Sequence, residues 1–111
     1  MKYMLLINST EAENEAAGDN FDEWMSYDKA LRDSGACVAG HALADLTTAT
    51  TVRVNASGER TITDGPYAEA REILGGYYVI DVPDLDVALD WAARCPGAKV
   101  GSIVVRPVAE F

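Results

Sequence analysis

An α+β fold, with two helices on one face of an antiparallel sheet, follows from three features of this chain. Apolar segments with the two-residue alternation of strands lie near both ends and at Leu74–Val82. Two segments, Phe21–Leu31 and Leu85–Cys95, carry apolar residues at helical spacing. Between them a β-branched run, Thr47 to Val54, leads into Asn55-Ala56-Ser57-Gly58, residues suited to a hairpin loop. The chain has 111 residues, 49% of them hydrophobic, enough for one domain spanning 1–111 with one core.

Lys2 to Asn8 reads as the first strand, with Tyr3, Leu5 and Ile7 on one face and Met4 and Leu6 on the other. Both faces are apolar, so both are expected to be covered. Residues 9–20 form a polar, acidic connection, read as a solvated loop, with a mobile lid as the alternative. Asp19 or Asn20 caps the first helix, and Asp22 and Glu23 suit the positive end of its dipole. Phe21, Trp24, Met25 and Leu31 form its expected core stripe, and Ser34-Gly35 stops it.

Ala36 to Ala44 is β-compatible, with Gly40 weakening it or marking a bulge. Thr47 to Val54 and Arg60 to Thr63 pair as a hairpin, closed by an Asp64-Gly65-Pro66 turn. A short helical turn at 68–72 precedes the strand Leu74–Val82. Pro83-Asp84 opens the second helix, whose apolar face is Leu85, Ala88, Leu89, Trp91, Ala92 and Cys95. Pro96-Gly97 ends it, and Val100 to Val108 is the final strand. With 36–44 taken as an extension of the hairpin region, the order is βαββαβ, the ferredoxin-like pattern. Its open sheet face has no chain left to cover it, which predicts a homodimer closed by two-fold symmetry.

The formal net charge of −9 opposes binding to phosphates and anionic headgroups, so neither nucleic acid nor a membrane is an expected partner. No stretch has the ~20 apolar residues of a membrane span, and the N-terminal run is too short for a signal peptide. A cytoplasmic location is expected. Cys37 and Cys95 are far apart and lie in apolar surroundings, which suits buried thiols rather than a disulfide scaffold. One histidine and two unclustered cysteines give no built-in metal site, and Gly75-Gly76 lacks the helix start and lysine of a phosphate loop. No cofactor is expected.

The run Asp64-Gly65-Pro66-Tyr67-Ala68-Glu69, followed by Ile73-Leu74-Gly75-Gly76-Tyr77-Tyr78, resembles the signature of the DGPF group within the YCII-related family. The likeness extends from Tyr3-Met4-Leu5-Leu6 through the strand 49–54 and the helix 85–93 to Gly101–Val108. It implies a dimeric α+β barrel built from ferredoxin-like protomers. Tyr67 stands where that group usually has phenylalanine, which adds a hydroxyl at the turn. A related branch eliminates chloride from a chlorinated muconate with a suggested His–Asp pair, and the wider superfamily includes cofactor-free isomerases and monooxygenases. Some relatives occur alongside alternative sigma factors, which implies regulation. An acidic residue is the commoner one at the position of His41.

His41 is the only histidine, and histidine is the residue type whose ordinary pKa suits proton transfer near neutral pH. Asp64, ending another strand, is the candidate to orient it. The plain alternatives are a surface histidine and an aspartate that bonds its own turn backbone. Tyr67, Tyr77 and Tyr78 offer amphipathic walls for a small apolar ligand, or ordinary core residues. Arg53 and Arg106 suit a ligand carboxylate or a structural ion pair. The expected site is therefore His41 and Asp64 as the catalytic candidates, with Tyr67, Glu69, Arg53 and Tyr78 as ligand-binding candidates. Two functions follow: a small-molecule-binding, regulatory homodimer with its cleft near the Asp64–Tyr67 turn, or a cofactor-independent lyase or isomerase using His41 as acid–base.

Overall fold

The computed structural model describes residues 1–65 and 72–111. The chain runs β1 (Lys2–Ser9), α1 (Glu11–Ala17), α2 (Phe21–Asp33), β2 (Cys37–Ala42), β3 (Thr50–Val54), β4 (Arg60–Asp64), β5 (Ile73–Asp81), α3 (Leu85–Arg94), α4 (Gly97–Val100) and β6 (Ser102–Pro107). The main sheet has the order β2-β5-β1-β6, with every neighbouring pair antiparallel. This is the ferredoxin-like arrangement, in which β2 is the second core strand. The β3–β4 hairpin forms a separate two-stranded sheet, inserted between the second and third core strands.

That placement corrects the sequence reading, which put the hairpin in the core and made 36–44 its extension. Propensity marks β3 and β4 as strands but does not decide what they lie against. Close approach decides it for β2. Gly40 sits opposite Tyr78, and a Cβ there would come 2.5 Å from Tyr78 Cδ1. Gly76 sits opposite Ala42, and a Cβ there would come 2.8 Å from the His41 carbonyl oxygen. Both glycines therefore hold β2 and β5 side by side, and neither marks the bulge. The register shift in β2 falls between Cys37 and Ala39 instead.

The core lies between the sheet and α2 and α3. Tyr3, Leu5, Tyr27, Leu31, Tyr78, Ile80, Val82, Ala88, Ala92 and Cys95 are buried. Tyr27 is its hub: the rings of Trp24, Tyr78 and Trp91 meet it edge-on at 6.3, 5.8 and 6.2 Å between centroids. Its hydroxyl donates to the Trp91 carbonyl at 2.8 Å, tying α2 to α3. The α2 stripe is thus Trp24, Tyr27 and Leu31, at i, i+3 and i+7. Phe21 and Met25, expected in the core, are 65% and 55% exposed. In α3 the small residues Ala88 and Ala92 face the sheet, while Leu85 and Leu89 remain largely exposed. Asp84 caps that helix by accepting from the Val87 amide at 3.0 Å.

Two short helices replace expected loops. Thr10 and Glu13 form a reciprocal capping box that starts α1 in the acidic segment. Beyond Pro96 the chain makes one further turn, α4, packed on β1. A Cβ on Gly97 would come 3.0 Å from Ile7 Cγ2, and one on Gly101 would collide with the Asn8 carbonyl oxygen. Glycine at these positions lets α4 seat on the strand. The hairpin loop is as expected: the Asn55 side-chain oxygen accepts from the Ser57 and Glu59 amides at 3.1 and 2.9 Å, and Gly58 has φ +84. The helical turn expected at 68–72 falls almost wholly outside the described residues.

Candidate functional site

Strand register sorts the sheet residues onto two faces. Toward the helices run the cross-strand rows Gly40–Tyr78–Leu5–Val105 and Cys37–Ile80–Tyr3–Pro107. On the opposite face run His41–Tyr77–Leu6–Val104 and Ala39–Val79–Met4–Arg106. Among the described residues, no helix covers the second set. Within these two rows the face is aliphatic except for one imidazole, one phenol and one guanidinium.

His41 is exposed near the end of β2. Its ring lies 5.7 Å from that of Tyr77, tilted by 56°. The Gly76 approach brings the β2 backbone close at this point, and the ladder continues with the Leu43 amide donating to the Gly75 carbonyl at 2.9 Å. The imidazole therefore stands on a fixed backbone while its side chain stays open to solvent.

Asp64 lies elsewhere, exposed at the root of the hairpin and opposite Thr50. Gly65, the residue after it, is well anchored. It has φ +95, a conformation that favours glycine. Its amide donates to the Ala49 carbonyl at 2.7 Å, and its carbonyl accepts from Thr51 Oγ1 at 2.8 Å. Among the described residues, no hydrogen bond joins His41 to Asp64. Arg53 sits on β3 opposite Thr61, on the exposed hairpin. Tyr67 and Glu69 fall outside the described residues.

Tyr78 is not a ligand wall. It is buried on the helix side, and its hydroxyl donates to Asp28 Oδ1 at 2.8 Å. Asp28 Oδ2 in turn accepts from Arg32 Nε at 2.9 Å. Burial pulls the Asp28 carboxyl upward, but the bonds from Tyr78 and Arg32 and the Arg32 charge outweigh it and hold it below the usual carboxylate range. Burial pushes the Tyr78 hydroxyl well above the usual phenol range, and its bond to Asp28 adds to this. The tyrosine on the open face is Tyr77, one residue earlier. Alternation along β5, once its register on β1 is known, separates the two.

A second region was not signalled by the sequence reading. A cleft of about 370 Å³ lies between α1, the start of α2 and α4, with the Lys99–Glu23 ion pair (2.8 Å) among its lining residues. A smaller adjoining cleft reaches Asn8, Asn20 and Trp24. Of the predicted site residues that are described, His41, Asp64, Arg53 and Tyr78, none lines either one. The capping-box pattern Thr10-x-x-Glu13 was the available signal for the helix that walls it.

Comparison with known proteins matches the YCII-related domain model over residues 1–111. The chain belongs to the YCII-related family. An uncharacterized protein of Rhizobium meliloti (strain 1021) is 35% identical over 118 residues, covering 100% of this chain and 94% of that protein. Among solved structures, the chain is similar to 5-chloro-2-hydroxyhydroquinone dehydrochlorinase (TftG) from Burkholderia phenoliruptrix AC1100, in complex with 2,5-dihydroxybenzoquinone. The TM-score is 0.60 at 11% identity, with 100% of this chain and 96% of that one covered. At that identity the likeness establishes a shared YCII-type α+β fold.

Proposed function

We propose that this YCII-family protein is a homodimer that closes over its open sheet faces and binds a small molecule in a cleft there, bounded by His41, Tyr77 and the Asp64–Tyr67 turn. The observation that carries this is the surface the chain leaves exposed. Its accessible area is 7759 Å². A folded monomer of 11.9 kDa exposes about 5,900 Å² by the usual scaling. The difference, about 1,800 Å², exceeds the roughly 800 Å² that each partner contributes to a stable interface. The shape agrees: the radius of gyration is 16.0 Å, against about 13 Å for a compact chain of this length.

The open face supplies what such an interface needs, an aliphatic centre with few charges. The His41–Tyr77 pair places a polar, aromatic patch at its margin, suited to a small planar molecule bearing hydroxyl or carbonyl groups. A regulatory ligand fits this reading. The enzyme reading keeps the same cleft and gives His41 the acid–base role with Asp64 as its orienting partner. The structural likeness to a dehydrochlorinase favours it. Because the two residues are not joined within one chain, the pair would have to form across the two-fold axis.

Sedimentation at micromolar concentration tests the assembly, and a monomer there rejects it. Titration with 2,5-dihydroxybenzoquinone, followed through the His41 imidazole resonances, tests the cleft. Saturable shifts at His41 and Tyr77 are expected. Shifts confined to the α1–α4 cleft would move the site away from the sheet face.

A further inference from the structure

We propose that the β3–β4 hairpin is a clasp that packs its apolar side onto a second copy of this chain. The proposal rests on the homodimer reading and extends it from the sheet face to the hairpin.

Register places Val52 opposite Ile62 and Val54 opposite Arg60, so Val52, Val54 and Ile62 share one side. Thr51, Arg53, Thr61 and Thr63 occupy the other. The apolar three are 55%, 64% and 58% exposed. They share that side with Thr50, Arg60 and Asp64, and among the described residues no element buries them. Among the described residues, the hairpin belongs to no larger sheet, and its strands contact chiefly each other. A lone two-stranded hairpin is marginal in water unless its apolar side packs against something.

Two observations select a second copy as the occupant. The first is area. The excess surface of about 1,800 Å² is more than twice what one partner needs for a standard interface. The second is charge. Between Thr50 and Asp64 the arginines Arg53 and Arg60 balance Glu59 and Asp64, so this segment is neutral. The whole formal charge of −9 then lies on the rest of the chain. A neutral arm can lie on an acidic copy without the repulsion that the remainder would meet. Two-fold symmetry makes the contact reciprocal, each hairpin covering the other protomer.

Hydrogen–deuterium exchange on the unaltered protein reads the contact directly. Amides of 50–54 and 60–64 should be protected at concentrations where the protein is dimeric and exchange freely on dilution to monomer. Protection that is independent of concentration would mean the hairpin folds onto its own chain, and overturns the proposal. Exchange that is free even in the dimer overturns it while leaving the dimer itself intact. A protein that is monomeric throughout overturns both. In parallel, the double variant Val52→Lys/Ile62→Lys, checked for native circular dichroism, should weaken dimerisation by about a hundredfold or more, since two apolar side chains lose their burial. A dissociation constant within about threefold of the parent refutes the clasp.

Discussion

Replacing Gly40 by alanine should destabilise the protein by about 2 kcal/mol, although alanine is ordinarily the better residue in a strand. The added Cβ would lie 2.5 Å from Tyr78 Cδ1 and 2.7 Å from Cε1, where ordinary contact begins at 3.4 Å. The ring must therefore retreat by about 1 Å, and overpacking of that kind costs roughly 1–3 kcal/mol. It has little room to do so. One side meets the Tyr27 ring at 5.8 Å between centroids, and the hydroxyl is held by Asp28 at 2.8 Å. Loosening that charged hydrogen bond adds up to ~1.5 kcal/mol, while the lower chain entropy of unfolded alanine returns ~0.5–1 kcal/mol. Guanidinium unfolding followed by circular dichroism, at one fixed protein concentration, gives the difference. The decisive comparison is a double-mutant cycle with Tyr78→Leu. Without the ring, Gly40→Ala should cost nothing or stabilise slightly. An equal cost in both backgrounds, or no cost in the parent, would refute the account of why a glycine stands there.

Asp28 is held ionised below the usual carboxylate range, so its contribution to stability is present above the unfolded pKa of about 4 and is lost as pH falls through the lower folded value. Asp28→Asn should be less stable than the parent at neutral pH, and the two unfolding curves should converge in acid; parallel curves down to pH 2 would count against the Tyr78–Asp28–Arg32 chain. Burial pushes the Cys95 thiol up to about 11, so at pH 8 a thiol reagent should leave Cys95 untouched in the folded protein and modify it only after denaturation. Peptide mapping of the labelled chain checks this. Tyr27→Phe removes the bond to the Trp91 carbonyl and should cost about 1–2 kcal/mol in the same unfolding assay.

The sheet strands and the two long helices were legible because each carries its own periodicity. Tyr3, Leu5 and Ile7 against Met4 and Leu6 already divided β1 into two faces. What the sequence could not supply was which strand lies beside which. The hairpin has the strongest strand propensity of the central region, yet β2 takes the sheet position, because only a strand with Gly40 opposite Tyr78 fits against β5. Tyr78 was misplaced for a related reason. Tyr77 and Tyr78 are equivalent in propensity, and only their opposite facings make one a core residue and the other a surface one. On α2, Phe21 and Met25 looked like core by hydrophobicity. Tyr27 outranks them because its ring can meet three others while its hydroxyl finds a carbonyl. For the site, the sequence reading set His41 in a strand or its bulge, and the residue lies exposed in β2. Its distance from Asp64 depends on the hairpin being an insertion, which no local pattern reveals.

The borders of the main sheet bear on how a chain with so much apolar surface stays out of fibrils. On one border, β2 breaks its register at Val38, and β6 on the other carries Arg106 and ends at Pro107, which has no amide hydrogen to offer. Neither border presents a long, regular row of free backbone groups on which a stranger strand could grow. The exposed apolar surface is thus met face-on, at the open side of the sheet and at Val52, Val54 and Ile62 of the hairpin. A protein designed the other way round, with tidy margins and a polar flat side, would polymerise without limit.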